Sequence, residues 1–254
     1  MELPLNHFKR ALQTDEAQMG IWLALGSAYS AEICAGAGFD WVLIDGEHAP
    51  NDLGSTLAQL QAVAPYPSHP IVRPVFGTVE NVKQLLDIGA QTLLIPLMES
   101  EEQARTMVRA MRYPPEGVRG VGSAIARASR WNAVPDYAHK AAAELCLLVQ
   151  IETRAGLQNL DAIARVEGVD GLFIGPNDLA ASLGHLGEHE HPEVLELIDD
   201  AIRRIQAAGK APGVLTTSHL LARQYIAMGC KFVAIAADTT LLAEGARSIA
   251  QMYK

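Results

Sequence analysis

The chain has 254 residues and a formal net charge of −9, because 29 Asp and Glu residues outnumber 20 Lys and Arg residues. An acidic chain without a dense Lys/Arg run argues against nucleic acid or an anionic membrane as the main partner. Hydrophobic residues make up 49% and charged residues 19%. The chain can therefore bury a sizeable core, and its length suits one large domain.

Short apolar runs alternate with longer amphipathic stretches along the chain. Runs rich in Val, Ile and Leu predict eight strands, at 19–25, 41–47, 70–75, 92–98, 146–152, 171–178, 211–216 and 232–238. Most of them are apolar at consecutive positions, which is typical of strands buried on both faces. Helical patterns lie between the strands, and the clearest are at 78–90, 100–112 and 191–210.

Regular alternation of strand and helix predicts a parallel sheet. Eight such units in this length favour a closed (β/α)8 TIM barrel, formed by a single domain over residues 1–254. An open doubly wound sheet is the alternative, but no GxGxxG fingerprint follows the first strand. One insertion, 113–144, interrupts the alternation, and we interpret it as a lid, an oligomer contact or a loop over the site.

The cysteines and the chain's amino-terminal segment indicate where the protein is found. The three cysteines, Cys34, Cys146 and Cys230, are far apart, so neither a disulfide framework nor a CxxC metal site fits. The first residues form no apolar signal segment, and no apolar run approaches the ~18 residues of a membrane span. We therefore expect a cytoplasmic protein with reduced thiols.

Polar residues collect where the predicted strands end, which is where TIM barrels place their active sites. These residues are Asp45, Glu47, His48, Arg73, Gln150, Glu152, Asn177, Asp178 and Asp238. Acidic groups are unfavourable inside an apolar barrel unless they are paired or bind a metal. The distribution therefore predicts a polar site at the carboxyl ends of the strands.

Glu152 and Asp178 end neighbouring strands, so they predict a divalent metal site. Two carboxylates with few other protein ligands suit Mg²⁺ or Mn²⁺, which prefer oxygen donors. The alternative is a structural salt bridge in which Glu152 pairs with Arg154 or Arg73.

His48 and Arg73 are candidates for proton transfer and for anion binding. His48 stands next to Asp45 and Glu47, and a neighbouring carboxylate raises the basicity of an imidazole; the alternative is a loop histidine in a turn before Pro50. Arg73 lies in an apolar strand and could hold a substrate carboxylate or an enolate oxygen, or pair with a barrel acid. Trp22 either lines the pocket or belongs to the core.

Two other stretches contain residues that can bind ligands. The segment "HLGEHEH" (185–191) contains three histidines and has the composition of a transition-metal cluster, but its glycines and polar residues favour a solvated loop. The glycines at 116–124 favour a flexible, substrate-facing loop over a phosphate site, because they follow no strand.

At a larger scale the sequence resembles the HpcH/HpaI aldolases over nearly its whole length. The matching motifs occur in order, as "CAGAGFDWVLIDGEHAP" (34–50), "VRP" (72–74), "QLLDIGAQTLLIP" (84–96), "RYPPEGVRGVGSAIARASRW" (112–131), "VQIET" (149–153) and "VEGVDGLFIGPNDL" (166–179). The resemblance is to the 4-hydroxy-2-oxoheptanedioate aldolase branch, which belongs to aromatic compound catabolism; a related branch cleaves 2-dehydro-3-deoxyglucarate.

The resemblance implies a class II aldolase that uses a divalent ion, Mg²⁺, Mn²⁺ or Co²⁺, to cleave 4-hydroxy-2-oxoacids to pyruvate or hydroxypyruvate and an aldehyde. It implies metal ligation by Glu152 and Asp178, a base at His48 and an enolate-stabilising arginine at Arg73. The remaining family positions match Asp87 (tuning of the histidine), Asp45 (near the histidine), Gln150 (contact to pyruvate), and Trp22 and Leu215 (aldehyde pocket). Asn177 departs from the family pattern, because a small residue is usual beside the metal-binding aspartate.

The resemblance also implies a homo-hexamer, a trimer of dimers that exchange their last helix, here from Thr239 onward. Two other functions remain open: a CoA-thioester lyase of the citrate-lyase-β type, and a non-catalytic sensor of small acids. The first would need basic residues for the CoA phosphates, which a net charge of −9 disfavours. No lysine stands within or at the end of a predicted strand, which argues against a Schiff-base aldolase.

Overall fold

Each apolar run predicted from the sequence forms a strand in the computed structural model, which describes residues 1–254. The strands are β1 (Gln18–Leu23), β2 (Trp41–Asp45), β3 (His69–Arg73), β4 (Thr92–Ile95), β5 (Cys146–Ile151), β6 (Gly171–Ile174), β7 (Ala211–Leu215) and β8 (Phe232–Ala237). The helices are α1 (His7–Ala11), α2 (Ala28–Ala35), α3 (Leu53–Val63), α4 (Val79–Asp87), α5 (Glu101–Met111), α6 (Tyr137–Glu144), α7 (Arg154–Gln158), α8 (Leu160–Ala164), α9 (Pro176–Leu183), α10 (Pro192–Ala207), α11 (His219–Ala227) and α12 (Asp238–Gln251).

The eight strands are parallel and form a closed barrel in the order β1 to β8. The closing contact is between β1 and β8, where Met19 pairs with Val233. The predicted TIM barrel is therefore confirmed, and an open doubly wound sheet is excluded. None of the helices is both long enough and apolar enough to cross a bilayer.

Every strand ends before its predicted boundary, and a proline follows within two residues in β3, β4 and β6; β3 stops at Arg73, directly before Pro74. The run 171–178 stops being a strand at Ile174, since Pro176 begins α9 at a position where proline stabilises a helix. Asp178 is therefore the third residue of a helix and not the end of a strand. Similarly, β4 ends at Ile95, directly before Pro96.

The insertion at 113–144 packs beside α4 and does not cover the mouth of the barrel. Its fully buried Arg119 donates a hydrogen bond of 2.8 Å to Asp87 at the end of α4, and its guanidinium lies over the Tyr113 ring. Because α4 runs from the carboxyl end of β3 back to the start of β4, Asp87 lies at the amino-terminal end of the barrel. The insertion leaves Ile125 and Trp131 exposed, and a lid over the site of the same chain is not observed.

The barrel interior is filled by a column of five aromatic rings, Phe8, Trp22, Trp41, Phe173 and Phe232. Adjacent ring centroids lie between 5.5 and 6.4 Å apart, most of them edge to face or tilted. Such contacts are favourable beyond simple burial. The column closes the barrel below its carboxyl-terminal end and so forms the floor of any site there.

Gly20 in β1 makes room for this column. It pairs in register with Trp41 of β2, and a Cβ atom at position 20 would overlap the Trp41 indole. The Trp41 side chain is fully buried, so it has little freedom to move aside.

We predict that Gly20→Ala destabilises the protein by about 1–3 kcal/mol, the usual range for overpacking a core. Urea unfolding followed by tryptophan fluorescence measures the change. The control is Gly54→Ala in α3, where a Cβ meets no atom closer than 3.4 Å. Equal stability of the Gly20 and Gly54 variants would contradict the packing argument.

Candidate active site

The carboxyl ends of β2, β3 and β5 bring most of the predicted site residues together. Asp45 ends β2 and Arg73 ends β3, and the two residues are register partners. Gln150 lies within β5, and Glu152 follows that strand directly. Asp178 approaches from the first turn of α9. The charge of Asp178 acts on both Glu47 and Glu152, so these carboxylates belong to one site.

Arg73 lies at the centre of a buried ion network. Asp45 accepts two hydrogen bonds from it, from Nε at 2.8 Å and from Nη2 at 2.7 Å. The remaining nitrogen, Nη1, lies 2.7 Å from Glu47 Oε2, outside hydrogen-bonding geometry, and 3.5 Å from Gln150 Oε1. The paired-arginine alternative is therefore observed. However, the two hydrogen bonds to Asp45 leave Nη1 directed at Glu47 and Gln150.

Trp22 contributes to both the core and the site. Its indole belongs to the aromatic column, while its Nε1 donates a hydrogen bond of 3.3 Å to Asp45 Oδ2. The Arg73 guanidinium lies 5.2 Å from the ring centroid, a cation–π distance. Trp22 is thus the top ring of the column and supports the ion network from below.

Glu152 is buried and makes no ion pair. One of its oxygens accepts a hydrogen bond from the backbone N–H of Leu97 at 2.7 Å, and the other accepts from the side-chain amide of Gln150. The alternative in which Glu152 pairs with Arg154 or Arg73 is not observed. The carboxylate is held in place by neutral donors only.

Burial and mutual repulsion shift the pKa values of the carboxylates in the site. Burial, together with the charges of Glu47 and Asp178, raises the pKa of Glu152 to about 7, against the opposing hydrogen bonds from Leu97 and Gln150. Burial also raises the pKa of Glu47, although the nearby Arg73 and His48 oppose this. The hydrogen bonds and charge of Arg73 lower the pKa of Asp45 in spite of its burial. One arginine therefore compensates Asp45 and leaves the remaining carboxylates without enough positive charge.

This donor set fits a hard divalent cation. Carboxylate oxygens are the ligands that Mg²⁺ and Mn²⁺ prefer, and a dication would offset both the burial of the Glu152 charge and its repulsion by Glu47 and Asp178, which together raise the pKa of Glu152. Glu47 Oε2 supports the fit, since it is a buried carboxylate oxygen with no hydrogen-bond donor.

His48 lies at the rim of the site, and its side chain is 64% exposed. Its Nε2 is 3.8 Å from Glu47 Oε2. Asp45, the other predicted neighbour of His48, turns its side chain to Arg73 and to the backbone N–H of Glu47. The carboxylate beside the imidazole is thus that of Glu47, to which the sequence analysis gave no role of its own. Only the backbone turn after β2 decides which of the two acids faces the imidazole.

Three predicted residues lie at the edge of this group or outside it. Leu215 ends β7 and packs against the aromatic column. Asn177 is exposed in the first turn of α9. Asp87 lies at the opposite end of the barrel with Arg119, so within one chain it is not brought together with His48. Asp238, another strand-end acid, accepts hydrogen bonds from the backbone of Ala24 and Leu25 and serves the loop after β1.

Comparisons with known proteins agree on one family. The family model described as "HpcH/HpaI aldolase/citrate lyase" matches residues 18–245. The chain is 59% identical to a hydroxypyruvate/pyruvate aldolase of Pseudomonas aeruginosa (100% of this chain, 95% of the relative) and 63% identical to one of Deinococcus radiodurans (98% and 90%). It is 59% identical to a 4-hydroxy-2-oxo-heptane-1,7-dioate aldolase of Klebsiella pneumoniae (98% and 94%).

A solved structure gives the same result. An HpcH/HpaI aldolase/citrate lyase family protein from Burkholderia cenocepacia superposes with a TM-score of 0.94 at 40% identity, over 98% of this chain and 99% of that one.

The raised pKa of Glu152 predicts how stability changes with pH in the metal-free protein. Between the unfolded value near 4.5 and the folded value of about 7, the folded state binds more protons than the unfolded state, so stability falls as pH rises through this window. Glu152→Gln cannot ionise and should flatten that fall. Thermal unfolding of both proteins in chelator at pH 5.5 and 8 measures the difference, with exposed Glu101→Gln as the control; an unchanged pH slope in Glu152→Gln would contradict the assignment.

Proposed function

The chain belongs to the HpcH/HpaI aldolase/citrate lyase family, and we propose that it cleaves 4-hydroxy-2-oxoacids reversibly to pyruvate or hydroxypyruvate and an aldehyde. The observation that carries this proposal is the group of three acids beside Arg73: Glu152 is buried without a cationic partner, Glu47 is half-buried, and Asp178 lies at the exposed edge of the group. Such a group suits a reaction in which a metal and an arginine share the charge that develops on one oxygen. Relatives named as aldolases, which are carbon–carbon lyases, support the same reaction class.

Aldolases of this family generally depend on a divalent metal. We propose Glu152 and Asp178 as its ligands and Mg²⁺, Mn²⁺ or Co²⁺ as the ion. When bound, the ion would act as a Lewis acid toward the 2-oxoacid. The hydrogen bonds from Leu97 and Gln150 fix the Glu152 carboxylate in advance, so little ordering would accompany binding.

We assign to Arg73 the stabilisation of the negative charge that develops during cleavage. When the C3–C4 bond breaks, its electron pair forms the C2–C3 double bond of an enolate and the charge moves to the C2 oxygen. Because Asp45 accepts hydrogen bonds from Nε and Nη2 of Arg73, Nη1, which lies 2.7 Å from Glu47 Oε2, is our candidate donor to that oxygen. Asp45 is thus a positioning residue, and Gln150, 3.5 Å from Nη1, is a candidate contact for the pyruvate part of the substrate.

His48 is the candidate group for the proton on the C4 hydroxyl. As C3 leaves C4, the hydroxyl loses its proton and becomes the aldehyde oxygen; C3 then takes up a proton to give the product 2-oxoacid. The exposed position of His48 at the rim suits the aldehyde end of a substrate whose acid end lies deeper. Trp22, Leu215 and Asn177 are candidates for shaping that end.

We also propose that the protein forms a hexamer, a trimer of dimers in which neighbours exchange α12. Asp238 is the only buried residue of this helix, and Leu241, Leu242 and Ile249 are more than half exposed. A role for Asp87 in tuning His48 then requires a neighbouring subunit, because the two residues lie at opposite ends of one barrel.

The activity is tested by pyruvate release, coupled to lactate dehydrogenase, from a panel of 4-hydroxy-2-oxoacids that includes 4-hydroxy-2-oxoheptanedioate. We expect EDTA to abolish release, and Mg²⁺, Mn²⁺ or Co²⁺ to restore it. Glu152→Gln should fall to background at any metal concentration, while Glu101→Gln keeps full rate. Undiminished turnover in EDTA would exclude a role for the metal, and no cleavage of any panel member would exclude the aldolase.

Arg73→Lys tests the arginine separately. A lysine cannot form the two hydrogen bonds to Asp45 and still direct a donor at the substrate, so we expect kcat to fall about 10²–10³-fold. Metal affinity, measured by calorimetry with Mn²⁺, should change little. The control is Arg105→Lys on the surface of α5, where the ion pair with Glu101 is exposed. A full-rate Arg73→Lys enzyme would show that the oxygen is stabilised elsewhere.

A further inference from the structure

A second group of ligand-type side chains lies outside the active site, in the connection between α9 and α10. His185, His191 and Glu193 place their ligand atoms within 4.8 Å of one another. The connection starts where the helix of Asp178 ends, and it finishes in the first turn of α10. Since α10 precedes β7, its first turn is at the carboxyl-terminal face of the barrel, at the periphery of the active-site side.

The backbone of the connection brings these residues together. Gly184 ends α9 with a φ of 99°, and Gly187 has a φ of 82°, both in the left-handed region that glycine adopts without strain. The chain therefore folds back on itself between His185 and His191. The segment is an exposed loop, as its glycines and polar residues predict, but histidine spacing alone does not reveal the reversal.

The geometry of the group is that of a partly assembled ligand set. His185 Nε2 lies 2.8 Å from Glu193 Oε2. The rings of His185 and His191 stack with their centroids 3.7 Å apart and 16° between their planes. The stacking brings two imidazole ligands to one place, and imidazole is the commonest side-chain ligand of metals in proteins. Glu193 is exposed, so its carboxylate is accessible to an ion from solvent.

We propose that His185, His191 and Glu193 form a binding site for a borderline transition-metal cation such as Zn²⁺. Two imidazoles and one carboxylate are a common set of protein ligands for Zn²⁺, with water in the fourth position. Imidazole also suits Ni²⁺ and Cu²⁺, whereas carboxylates alone suit Mg²⁺ and Mn²⁺. Ligand chemistry therefore separates this site from the carboxylate group in the barrel.

Binding needs only a local rearrangement. All three ligands come from the nine-residue stretch 185–193, so little loop-closure entropy is lost. The bonds that the metal would replace are the His185–Glu193 contact and a long hydrogen bond of 3.3 Å from the Glu193 backbone N–H to His191 Nδ1. A bound ion would join the end of α9, whose first turn carries Asp178, to the start of α10.

The test is Zn²⁺ binding to the untagged, full-length protein in saturating Mg²⁺, by equilibrium dialysis and calorimetry. The test variant is His185→Ala/His191→Asn, since asparagine retains the capping role of His191 at the start of α10. We expect it to bind one Zn²⁺ fewer per chain than the wild type, or to bind that ion at least tenfold more weakly. Glu193→Gln, at an exposed position, should weaken the same ion, while His139→Ala/His219→Ala should not.

Copper provides a readout of the ligands themselves. The electron paramagnetic resonance spectrum of the protein with one equivalent of Cu²⁺ in saturating Mg²⁺ should show hyperfine coupling to imidazole nitrogens, and the His185→Ala/His191→Asn protein should lose it. Zn²⁺ stoichiometry and affinity that are equal in the wild type and in both test variants would overturn the proposal. That result would leave the aldolase assignment untouched, because the barrel carboxylates are intact in all these proteins.

Discussion

The buried contact between Asp45 and Arg73 is the interaction on which the rest of the site depends. Neighbouring parallel strands place these residues side by side in register, and two hydrogen bonds under 3 Å join them. A buried guanidinium without its partner is strongly destabilising, so the pair is fixed wherever the barrel is closed. The pair in turn directs the remaining nitrogen of Arg73, Nη1, toward Glu47 and Gln150.

The site is also supported from below, by packing rather than by charge. Trp22 belongs to the aromatic column and donates a hydrogen bond to Asp45, so the position of the ion pair is tied to the filling of the barrel. Gly20 and Trp41 therefore affect the site through the packing of the column, although neither contacts the site. A change in the aromatic column would shift the residues that form the floor of the site. Because reaction rate depends on aligning reacting groups within a fraction of an ångström, such a shift would slow the reaction.

Much of the barrel and part of the site could be predicted from the sequence. Consecutive apolar residues indicate strands buried on both faces, and eight of them with helices between define the closed barrel. The same pattern led to Glu152 and Arg73, because an ionised residue at the end of an apolar strand is conspicuous. It could not reveal that Asp178 begins a helix, that Glu47 rather than Asp45 faces His48, or that Asp87 lies at the far end. Those facts depend on the backbone path after each strand, and for Asp87 on the direction of a helix, which apolar periodicity does not encode.

The two cation sites proposed for this chain differ in a way that follows from where their ligands are. The barrel site is built from Glu152 after β5, Glu47 after β2 and Asp178 in the first turn of α9, and burial together with the charges of the other two acids raises the pKa of Glu152. The site between α9 and α10 is built from a loop reversal at the surface, where solvent screens the charges and imidazoles supply two of the three ligands. A hard dication offsets the negative charge of the barrel site. The surface site instead favours a cation with a high affinity for nitrogen ligands. Since α9 carries Asp178 in its first turn and leads into the histidines at its end, one short helix connects the two.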